Sequence, residues 1–515
     1  MIALSLAEIA TVIGGVLDHV EDPEAKVTGF VEFDSRKVTP GGLFVALPGA
    51  HVDGHDFARM AVDKGAVAVI AARPVGVPAI VVEPTGAMEG EGANADIYAH
   101  DADGAAAAVI RAFAKLAQHV CSTLVAHNGL KVIGVTGSAG KTSTKDLIAS
   151  VLRSNGATVA PPGSFNNEIG HPYTALRCDE HTRYLVAEMS ARGIGHIRAL
   201  AATVPPHVGV VLNVGSAHLG EFGSRENIAQ AKGELVEALP SGNDGGVAVL
   251  NADDPLVAAM AARTTAKVVT YSAAKPPAPG ADYFATDIEL DYLARPSFLL
   301  HAPGAEPVRV TLQVFGVHQV SNSLAAAAAA IESGLSLADV AAALSGHQNA
   351  SAHRMDVHTR ADGVTVINDS YNANPDSMRA AIAALGYTTA ARPDARSIAV
   401  LGEMGELGDK AQEAHREIGA ELAKYHVTHL IVVGTSLNCR ALEEEARQLG
   451  IPTSVSEDVN QAVAEVSSIV SSAPSGVDDW NQRKEKDVVL VKASNAQKLW
   501  LVSDQLLRGQ AEPPR

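Results

Sequence analysis

The sequence predicts an α/β protein of three domains: a small N-terminal α/β domain, a central doubly wound sheet and a C-terminal Rossmann-like sheet. Its 515 residues are enough for three to four domains of about 150 residues each. From residue 131 onward, short runs rich in valine and leucine alternate with helical stretches, which is typical of parallel strands buried on both faces. The predicted domains span residues 1–104, 105–347 and 348–515.

Composition and charge exclude several classes of protein. Hydrophobic residues make up 47% of the chain and charged residues 19%, so it is predicted to fold rather than to be disordered. Forty Lys and Arg residues against 58 Asp and Glu residues give a formal net charge of −18. A general nucleic-acid or anionic-membrane binder would need a basic surface. The net negative charge is still compatible with a local basic pocket that binds a nucleotide.

The cysteines and the N-terminus indicate the compartment. Cys121, Cys178 and Cys439 lie far apart without metal-ligand spacing, so reduced, buried thiols are expected rather than disulfides or a zinc site. No Lys or Arg precedes Lys26, so the basic start of a signal peptide is missing. No stretch reaches the roughly 18 apolar residues that a membrane span needs. We therefore expect a cytoplasmic protein without a membrane span.

The elements follow from the hydrophobic pattern. In the N-terminal domain, residues 4–16 have helical spacing, residues 83–104 predict a surface loop or linker, and a helix follows from about 105 to 126. The run of small residues at 323–331 predicts a closely packed helix, and the polar stretch 475–487 predicts an exposed loop. Strand-like runs occupy residues 42–47, 66–71, 78–82, 132–135, 184–187, 208–212, 247–250, 364–367, 398–401, 430–433 and 488–491.

The strongest chemical signal is GVTGSAGKTS at residues 134–143, between a buried strand and a predicted helix over 143–153. Its glycines let backbone N–H groups point at phosphate oxygens, and the helix N-terminus adds partial positive charge. Lys141 is expected at the terminal phosphates, and the Thr142 hydroxyl is expected to ligate Mg²⁺. The central domain is therefore predicted to be of the P-loop ATPase type. The predicted nucleotide-binding residues here are Gly137, Ser138, Ala139, Gly140, Lys141, Thr142 and Ser143.

Two further residues follow predicted parallel strands, at the sheet edge where such folds bind ligands. Glu188 ends the run YLVAE and offers an oxygen ligand for Mg²⁺. His218 follows the next strand in the segment NVGSAH. Taken alone, Glu188 would be a solvent-exposed carboxylate and His218 a turn or core histidine. Beside a phosphate-binding loop, both become candidate metal-site residues.

These motifs together resemble the Mur ligases of peptidoglycan synthesis, over essentially the whole chain. The resemblance is carried by TGSAGKTST at 136–144, by Glu188, by NVGSAH at 213–218 and by the three-domain layout. Residues 34–57 are similar to the uridine-nucleotide recognition region of the family. The segments GSFNNEIGHP, DSYNANPDSM and LGEMGELG are most similar to the member that adds D-alanyl-D-alanine to UDP-N-acetylmuramoyl-tripeptide.

The resemblance implies an ATP-dependent amide ligase. ATP would phosphorylate the terminal carboxylate of UDP-N-acetylmuramoyl-tripeptide, and the amine of D-alanyl-D-alanine would displace phosphate to give the pentapeptide. The implied setting is cytoplasmic peptidoglycan precursor synthesis, hence cell-wall formation, cell shape and cell division, with a monomeric enzyme and with ATP and Mg²⁺ as cofactors. The implied catalytic residues are Lys141, Glu188, His218 and Lys232.

Lys232, in the segment QAKGE, matches a family lysine whose carbamate helps to hold a second Mg²⁺. From sequence alone it would be a solvated helix lysine. A carbamylated Lys232 would join Thr142, Glu188 and His218 as a metal ligand, because carbamylation turns a cation into an oxygen ligand.

The resemblance also implies nucleotide and substrate contacts from other segments. Asn322 would meet the adenine, with Gln319 standing where the family usually has Asn. Asn372 and Asn374 also read as an Asx-rich turn before a helix, which is compatible with a functional role. Further ATP-binding residues are Arg354, Asp369, Asn372 and Asn374. Residues implied to face the UDP-sugar or the muramoyl group are Ser35, Arg36, Asn166 and Asn167.

Some features leave alternatives open. The C-terminal segment from Lys492 to Asn495 reads KASN where this type of ligase usually reads KGSR. The pair His51 and His55 has no third ligand nearby, so a structural loop is preferred to a metal site. The chain could instead add a diamino acid, or glutamate to folate, although the DNPR stretch of the diamino-acid ligase is absent. A P-loop regulatory ATPase is the alternative outside the ligases.

Overall fold

The computed structural model describes residues 1–49, 52–84, 86, 101–215, 219–348 and 351–508. Its N-terminal unit has a five-stranded sheet of order β2-β7-β6-β5-β4 and a two-stranded ribbon of β1 and β3. The strands are β1 Leu4–Ser5, β2 Val16–Asp18, β3 Lys26–Val27, β4 Val31–Glu32, β5 Leu43–Val45, β6 Ala68–Ala71 and β7 Ala79–Val81. The helices are α1 Leu6–Ile13, α2 Ala58–Asp63 and α3 Ala105–Asn128.

Helix α3 joins the N-terminal and central units through a shared core. The carboxylate of Asp101 accepts hydrogen bonds from the backbone N–H groups of Ala106 and Ala107, which fixes the start of the helix. Its apolar face lies in one cluster with Leu6 of α1 and Val132 of the central sheet. The predicted division at residue 104 stays a prediction, as does the one at residue 347.

The central unit contains a nine-stranded sheet of order β16-β15-β14-β13-β12-β11-β8-β10-β9. Its strands are β8 Lys131–Thr136, β9 Thr158–Val159, β10 Tyr184–Glu188, β11 Val208–Val211, β12 Val247–Asn251, β13 Lys267–Ser272, β14 Tyr283–Leu290, β15 Pro296–His301 and β16 Val308–Thr311. Its helices are α4 Lys141–Arg153, α5 Gly170–Ala175, α6 His196–Thr203, α7 Leu219–Phe222, α8 Arg225–Glu237, α9 Pro255–Ala258, α10 His318–Glu332 and α11 Leu337–Gly346.

The central sheet confirms the doubly wound prediction and extends it. Strands β8 to β13 pair in parallel, with β8 between β10 and β11, so their carboxyl ends meet at one edge. Beyond them β14, β15 and β16 pair antiparallel, and this extension was not predicted. Only Tyr283 and Ala285 of β14 are buried, and the exposed Asp287 and Glu289 follow them, so the strand lacks the continuous apolar run of the others.

Helix α10 is the predicted helix of small residues. Ala325 to Ala330 are all fully buried, in the same core as Leu147 and Ala149 of α4. Alanine side chains bring the axes of the two helices close together, because nothing larger stands between them. The helix that follows the phosphate loop is therefore packed directly against the helix that carries Asn322.

The C-terminal unit is a six-stranded sheet of order β17-β18-β22-β19-β20-β21, parallel except for the pair of β17 and β18. Its strands are β17 Asp356–Thr359, β18 Thr365–Asn368, β19 Ser397–Leu401, β20 His429–Val433, β21 Thr453–Ser456 and β22 Val488–Lys492. Its helices are α12 Pro375–Ala390, α13 Ala411–Lys424, α14 Leu437–Gln448, α15 Val459–Ser471 and α16 Trp500–Leu507.

One predicted loop is wrong in part. Within 475–487, Trp480 and Asp487 are buried rather than exposed. Asp487 accepts hydrogen bonds from the guanidinium of Arg396 at 2.6 and 3.1 Å, which neutralises its charge. An aspartate with a fixed cationic partner cannot be told from a solvated one by composition alone. None of the described helices is long and apolar enough to cross a membrane.

Candidate active site

A cavity of about 490 Å³ opens where the central and C-terminal sheets meet. The phosphate loop and the ends of β10 and β11 form one wall, and the segments after β18 and β19 form the other. Its charged and amide side chains are Lys141, Asn166, Asn167, Glu168, Glu188, Arg192, Asn213, Asn322, Arg354, Asp369, Asn372, Asn374, Asp376, Glu406 and Lys492.

The phosphate loop has the geometry expected for its sequence. Gly140 has a φ of +84° and precedes α4, which begins at Lys141, two residues earlier than predicted. The ammonium of Lys141 donates to the carbonyl of Gly137 at 2.7 Å. Burial lowers the pKa of Lys141, and the charge of Glu188 opposes that shift. The lysine is thus held over the loop, at the position where phosphates would bind.

Asn213, which follows β11, holds this loop, and its role was not predicted. Its Oδ1 accepts hydrogen bonds from the backbone N–H groups of Ser138 and Ala139, both at 2.9 Å. Its Nδ2 donates to the carbonyl of Ala139 at 3.1 Å. The strand-end position could have singled out Asn213, because polar residues there face the ligand edge of a parallel sheet.

Glu188 lies at the centre of a hydrogen-bond network and is buried, so its alternative interpretation as a solvent-exposed carboxylate is wrong. It accepts from the hydroxyl of Thr142 at 2.9 Å and from the amide of Asn166 at 2.8 Å. Thr142 also contacts the hydroxyl of Ser164 at 2.9 Å, and Arg354 donates to that hydroxyl at 2.8 Å. The network connects the phosphate loop to the C-terminal unit.

Lys232 is buried in α8, so the interpretation as a solvated helix lysine is wrong. No carboxylate pairs with it among the residues that the structure describes. Burial lowers the pKa of Lys232 well below that of an ordinary lysine, and the nearby charge of Lys141 lowers it further. His218, the last of the four predicted catalytic residues, lies outside the residues that the structure describes.

Asn322 and Gln319 form a pair inside α10. The Nδ2 of Asn322 donates to the Oε1 of Gln319 at 3.0 Å, and both side chains are buried. A side chain at Gly140 would meet the Oδ1 of Asn322 at 2.7 Å, so Asn322 lies directly against the phosphate loop. Gln319 therefore fixes the orientation of the Asn322 amide.

Asp369 supports Arg354 through the backbone. The ammonium of Lys492 donates to Asp369 Oδ2 at 2.6 Å, and the N–H of Met355 donates to Oδ1 at 3.0 Å. The residues on either side of Arg354, His353 and Met355, have left-handed φ angles of +60° and +49°. Such angles cost non-glycine residues free energy, so the contact with Asp369 holds a strained segment in place.

The two asparagines after β18 have local structural roles as well as a place in the cavity wall. Asn374 caps α12 by accepting from the N–H of Ser377 at 2.9 Å, and Pro375 is the first residue of the helix. The carbonyl of Asn372 accepts from Lys492 at 2.9 Å. The Asx-turn interpretation is confirmed, and the ATP-binding role stays a prediction.

The structure brings only part of the predicted substrate set to the cavity. Asn166 holds Glu188, and Asn167 caps the turn before α5 by accepting from the N–H of Gly170 at 2.9 Å. Ser35 and Arg36 lie outside the cavity lining. Arg36 is exposed and pairs with Asp34 at 2.9 Å, which lowers the pKa of Asp34 to about 2.

The histidine pair near the N-terminus is structural where it is described. His55 contacts Asp53 through Nδ1 at 2.6 Å, and its Nε2 accepts from the N–H of Ala72 at 2.9 Å. Both ring nitrogens are therefore used to fix a loop. His51 lies outside the described residues.

Comparisons with known proteins agree with this geometry. The model for the Mur ligase middle domain matches residues 135–330, that for the Mur ligase glutamate ligase domain matches 353–495, and that for the Mur ligase family catalytic domain matches 28–123. The UDP-N-acetylmuramoyl-tripeptide–D-alanyl-D-alanine ligase of Mycobacterium tuberculosis is 52% identical over 513 residues, which cover 98% of each chain. The chain belongs to the Mur ligase family.

Two solved structures of this family resemble the whole molecule. MurF from Acinetobacter baumannii has a TM-score of 0.79 and 27% identity, over 98% of this chain and 99% of that one. MurF from Thermotoga maritima, in complex with ADP, has a TM-score of 0.72 and 27% identity, over 94% of this chain and 98% of that one. The three-domain Mur ligase architecture is therefore confirmed.

Several cavity residues were not predicted as site residues. Arg192 and His196 follow the strand that ends at Glu188, and Glu406 lies in the LGEMGELG segment. Lys492 is retained although the surrounding segment departs from the usual Mur ligase KGSR, and its buried ammonium, at the end of β22, donates to the carbonyls of Asp369 and Asn372. Position after a parallel strand is the signal that could have found them.

Proposed function

We propose that the chain is an ATP-dependent ligase that joins D-alanyl-D-alanine to the terminal carboxylate of UDP-N-acetylmuramoyl-tripeptide. The reaction passes through an acyl phosphate and gives UDP-N-acetylmuramoyl-pentapeptide, ADP and phosphate. One observation carries this proposal: the phosphate loop, Glu188 and the arginine segment of the C-terminal unit line a single cavity. The 52% identity to a relative named for that reaction supports the choice of substrates.

The protein's share of the phosphoryl transfer is positioning and charge neutralisation. The loop N–H groups, the start of α4 and Lys141 hold the ATP phosphates. Arg354 approaches the same phosphates from the C-terminal unit, supported by Asp369. The Asn322 amide, oriented by Gln319, meets the adenine edge. Asp369, Asn372 and Asn374 complete the nucleotide side of the cavity.

The residues present fit a magnesium ion. The Thr142 hydroxyl and the Glu188 carboxylate are 2.9 Å apart, and both are buried. Oxygen donors of this kind are those a hard divalent cation prefers. Thr142, Glu188 and His218 would hold Mg²⁺, which would neutralise phosphate charge. Asn166 keeps the Glu188 carboxylate oriented by its hydrogen bond to Oε1.

Lys232 is suited to carbamylation. Only the neutral amine of a lysine can attack carbon dioxide, and the lowered pKa of Lys232 increases the fraction in that form. The carbamate would supply oxygen ligands for a second Mg²⁺. It would also place a negative charge near Lys141, whose positive charge disfavours a second cation at Lys232.

The remaining assignments extend this proposal. Ser35 and Arg36 bind the uridine nucleotide of the acceptor, and Asn166 and Asn167 lie near its muramoyl group. Exposed Arg36 suits a pyrophosphate, because its guanidinium can donate two parallel hydrogen bonds. The enzyme works as a monomer in the cytoplasm, in peptidoglycan precursor synthesis for cell shape and division.

Phosphate release tests the proposal. It is measured with ATP, Mg²⁺ and UDP-N-acetylmuramoyl-tripeptide, with and without D-alanyl-D-alanine, and the products are identified by mass. Release that needs both substrates, with a heavier UDP-linked product, is the expected result. Release that is indifferent to the dipeptide would overturn it in favour of another acceptor or a regulatory ATPase.

A further inference from the structure

The segment LGEMGELG after β19 contains a residue with an unfavourable backbone. Glu406 has a φ of +62°, in the left-handed region, and its side chain lines the cavity. This conformation costs a glutamate free energy that a glycine would not lose. Backbone outliers of this kind are common at functional sites, so we asked what the side chain contacts in the cavity.

Glu406 points across the cavity to the central unit. Its Oε1 lies 3.1 Å from Nη2 of Arg192, and about one third of each side chain stays exposed (36% and 38%). The negative charge of Glu406 also acts to raise the pKa of Lys141. The carboxylate is therefore open to solutes from the cavity and lies within electrostatic reach of the phosphate loop.

Two other carboxylates of the C-terminal unit line the described cavity wall, and each lies within ion-pair distance of a cation of the same unit. Asp369 binds the buried ammonium of Lys492 at 2.6 Å. Asp376 lies 3.5 Å from the guanidinium of Arg379, one turn along α12. Glu188, on the opposite wall, is engaged by Thr142 and Asn166. Glu406, by comparison, forms an ion pair with a cation of the opposite wall, Arg192.

The amine substrate must bind and lose a proton in this cavity. The α-amino group of a dipeptide has a pKa of about 8, so it enters mostly as an ammonium at neutral pH. An ammonium has no lone pair and cannot attack an acyl phosphate. A carboxylate on the C-terminal wall, near the phosphate loop, can both bind that cation and accept its proton.

We propose that Glu406 binds the ammonium of the incoming dipeptide and accepts one of its protons, and that Arg192 is a positioning residue for Glu406. This inference rests on the proposed function. The amine nitrogen then forms a bond to the acyl carbon as the bond from that carbon to the phosphate oxygen breaks. The second amine proton leaves with phosphate, and Glu406 returns its proton to water.

Hydroxylamine distinguishes the proposed role of Glu406 in amine attack from the earlier formation of the acyl phosphate. It is neutral at neutral pH and attacks acyl phosphates without prior deprotonation, so hydroxamate formation reports acyl phosphate directly. In Glu406→Gln we expect hydroxamate formation with ATP and UDP-N-acetylmuramoyl-tripeptide at a rate near that of wild type. Ligation of D-alanyl-D-alanine should fall by about 10²- to 10⁴-fold in kcat/KM for the dipeptide.

The pH profile gives a second readout. The ligation deficit of Glu406→Gln should shrink as the pH rises past about 8, because solvent then supplies the free amine. The KM values for ATP and for the UDP-linked substrate should not change. The matched control is Glu443→Gln, which removes a carboxylate paired with Arg447 on α14, outside the cavity.

Different results are expected if the ion pair of Glu406 and Arg192 only holds the two walls of the cavity together. The exchange Arg192→Glu with Glu406→Arg rebuilds an ion pair with reversed charges, so restored ligation in that double variant would overturn the proposal. Equal loss of hydroxamate and ligation in Glu406→Gln, or no loss of either, would also overturn it. If wild type forms neither product, the proposed function itself fails, and that outcome is distinct from all of these.

Discussion

The side-chain oxygen of Asn213 lies 2.9 Å from the backbone nitrogen of Ala139, in the middle of the phosphate loop. The same oxygen accepts from Ser138, so a single amide sets the directions of two loop N–H groups. Mutation of Asn213 to Ala removes these bonds, each worth about 0.5–1.5 kcal/mol. We expect the KM for ATP to rise by roughly tenfold or more.

Steady-state kinetics with each substrate varied would measure this effect. The KM for the UDP-linked substrate should stay constant. Asn155→Ala is the matched control, because Asn155 donates a side-chain hydrogen bond to Tyr184 outside the cavity lining. An unchanged KM for ATP in Asn213→Ala would show that the loop holds its shape without this amide.

Lys141→Ala should abolish turnover while leaving the fold intact. The ammonium lies over the loop, where we propose that the ATP phosphates bind. Its loss should lower kcat by about 10²- to 10³-fold or more, as expected for removal of a charge that stabilises the transition state. Circular dichroism would check the fold, and Lys424→Ala, at an exposed ion pair, is the control. Wild-type rates would contradict the phosphate-loop assignment.

Lys232→Ala should lose activity that short carboxylates partly restore. The cavity left by the buried side chain gives acetate or formate room to supply the oxygen atoms of the missing carbamate. Rates would be measured with and without millimolar acetate, and chloride at equal ionic strength would serve as the control. Full activity in Lys232→Ala would remove this residue from the site.

Lys492→Met should destabilise the C-terminal unit and weaken ATP binding. It leaves the largely buried carboxylate of Asp369 without its cation, and the cost should approach, from below, the ~3–5 kcal/mol that is typical of breaking a fully buried pair. Asp369 would also hold Met355 and Arg354 less firmly. Thermal unfolding and ATP titration would measure the two effects, with Lys424→Met as the control. Unaltered stability would mean that the pair contributes nothing net.

Acid should destabilise the protein through His171. Burial lowers the pKa of His171 from 6.5 to about 4, so the folded state keeps this ring neutral while the unfolded chain protonates it. Stability is therefore complete above about pH 6.5 and is lost as the pH falls toward 4, by an amount on the order of 3 kcal/mol.

Measuring the unfolding temperature at pH 7.5 and at pH 5 would test whether stability falls with pH as predicted. In His171→Gln the difference between the two pH values should be smaller, because an amide can still donate to the carbonyl of Leu200 without titrating. His181→Gln, at an exposed site, should leave the difference unchanged. If His171→Gln lost as much stability in acid as wild type, the loss would come from other titratable groups.

The sequence predicted those features that depend on local pattern. Buried parallel strands appear as continuous apolar runs, so the central sheet was predicted. The phosphate loop has fixed glycine spacing, which singled out Lys141, and the structure has this residue in the cavity wall, while its role stays a prediction. The burial of Glu188 and Lys232 was not predicted, because it depends on elements that pack over them from elsewhere in the chain. Strand β14 was missed for a related reason, since its exposed face carries charge.

The cavity residues whose partners lie far along the chain were the hardest to predict. Asn213 and Glu406 bond to partners more than 70 and 200 positions away, and no periodicity encodes such distances. The sequence showed that Gln319 departs from the family pattern. That Gln319 accepts a hydrogen bond from Asn322 could be seen only from the geometry of α10. Sequence order identifies the elements, whereas the contacts between elements decide what each polar side chain does.

The buried alanines of α10 have a consequence for how the enzyme tolerates change. Because Ala325 to Ala330 have only methyl side chains and are fully buried in the core shared with α4, side-chain rearrangement there has little scope to change the spacing between Asn322 and Gly140. The packing of α10 on α4 would thus set the distance between the proposed base contact at Asn322 and the proposed phosphate contacts at Gly140. We expect that a single methyl group added on this face of α10 would change the distance between Asn322 and Gly140, and so weaken nucleotide binding from a position that does not contact the nucleotide.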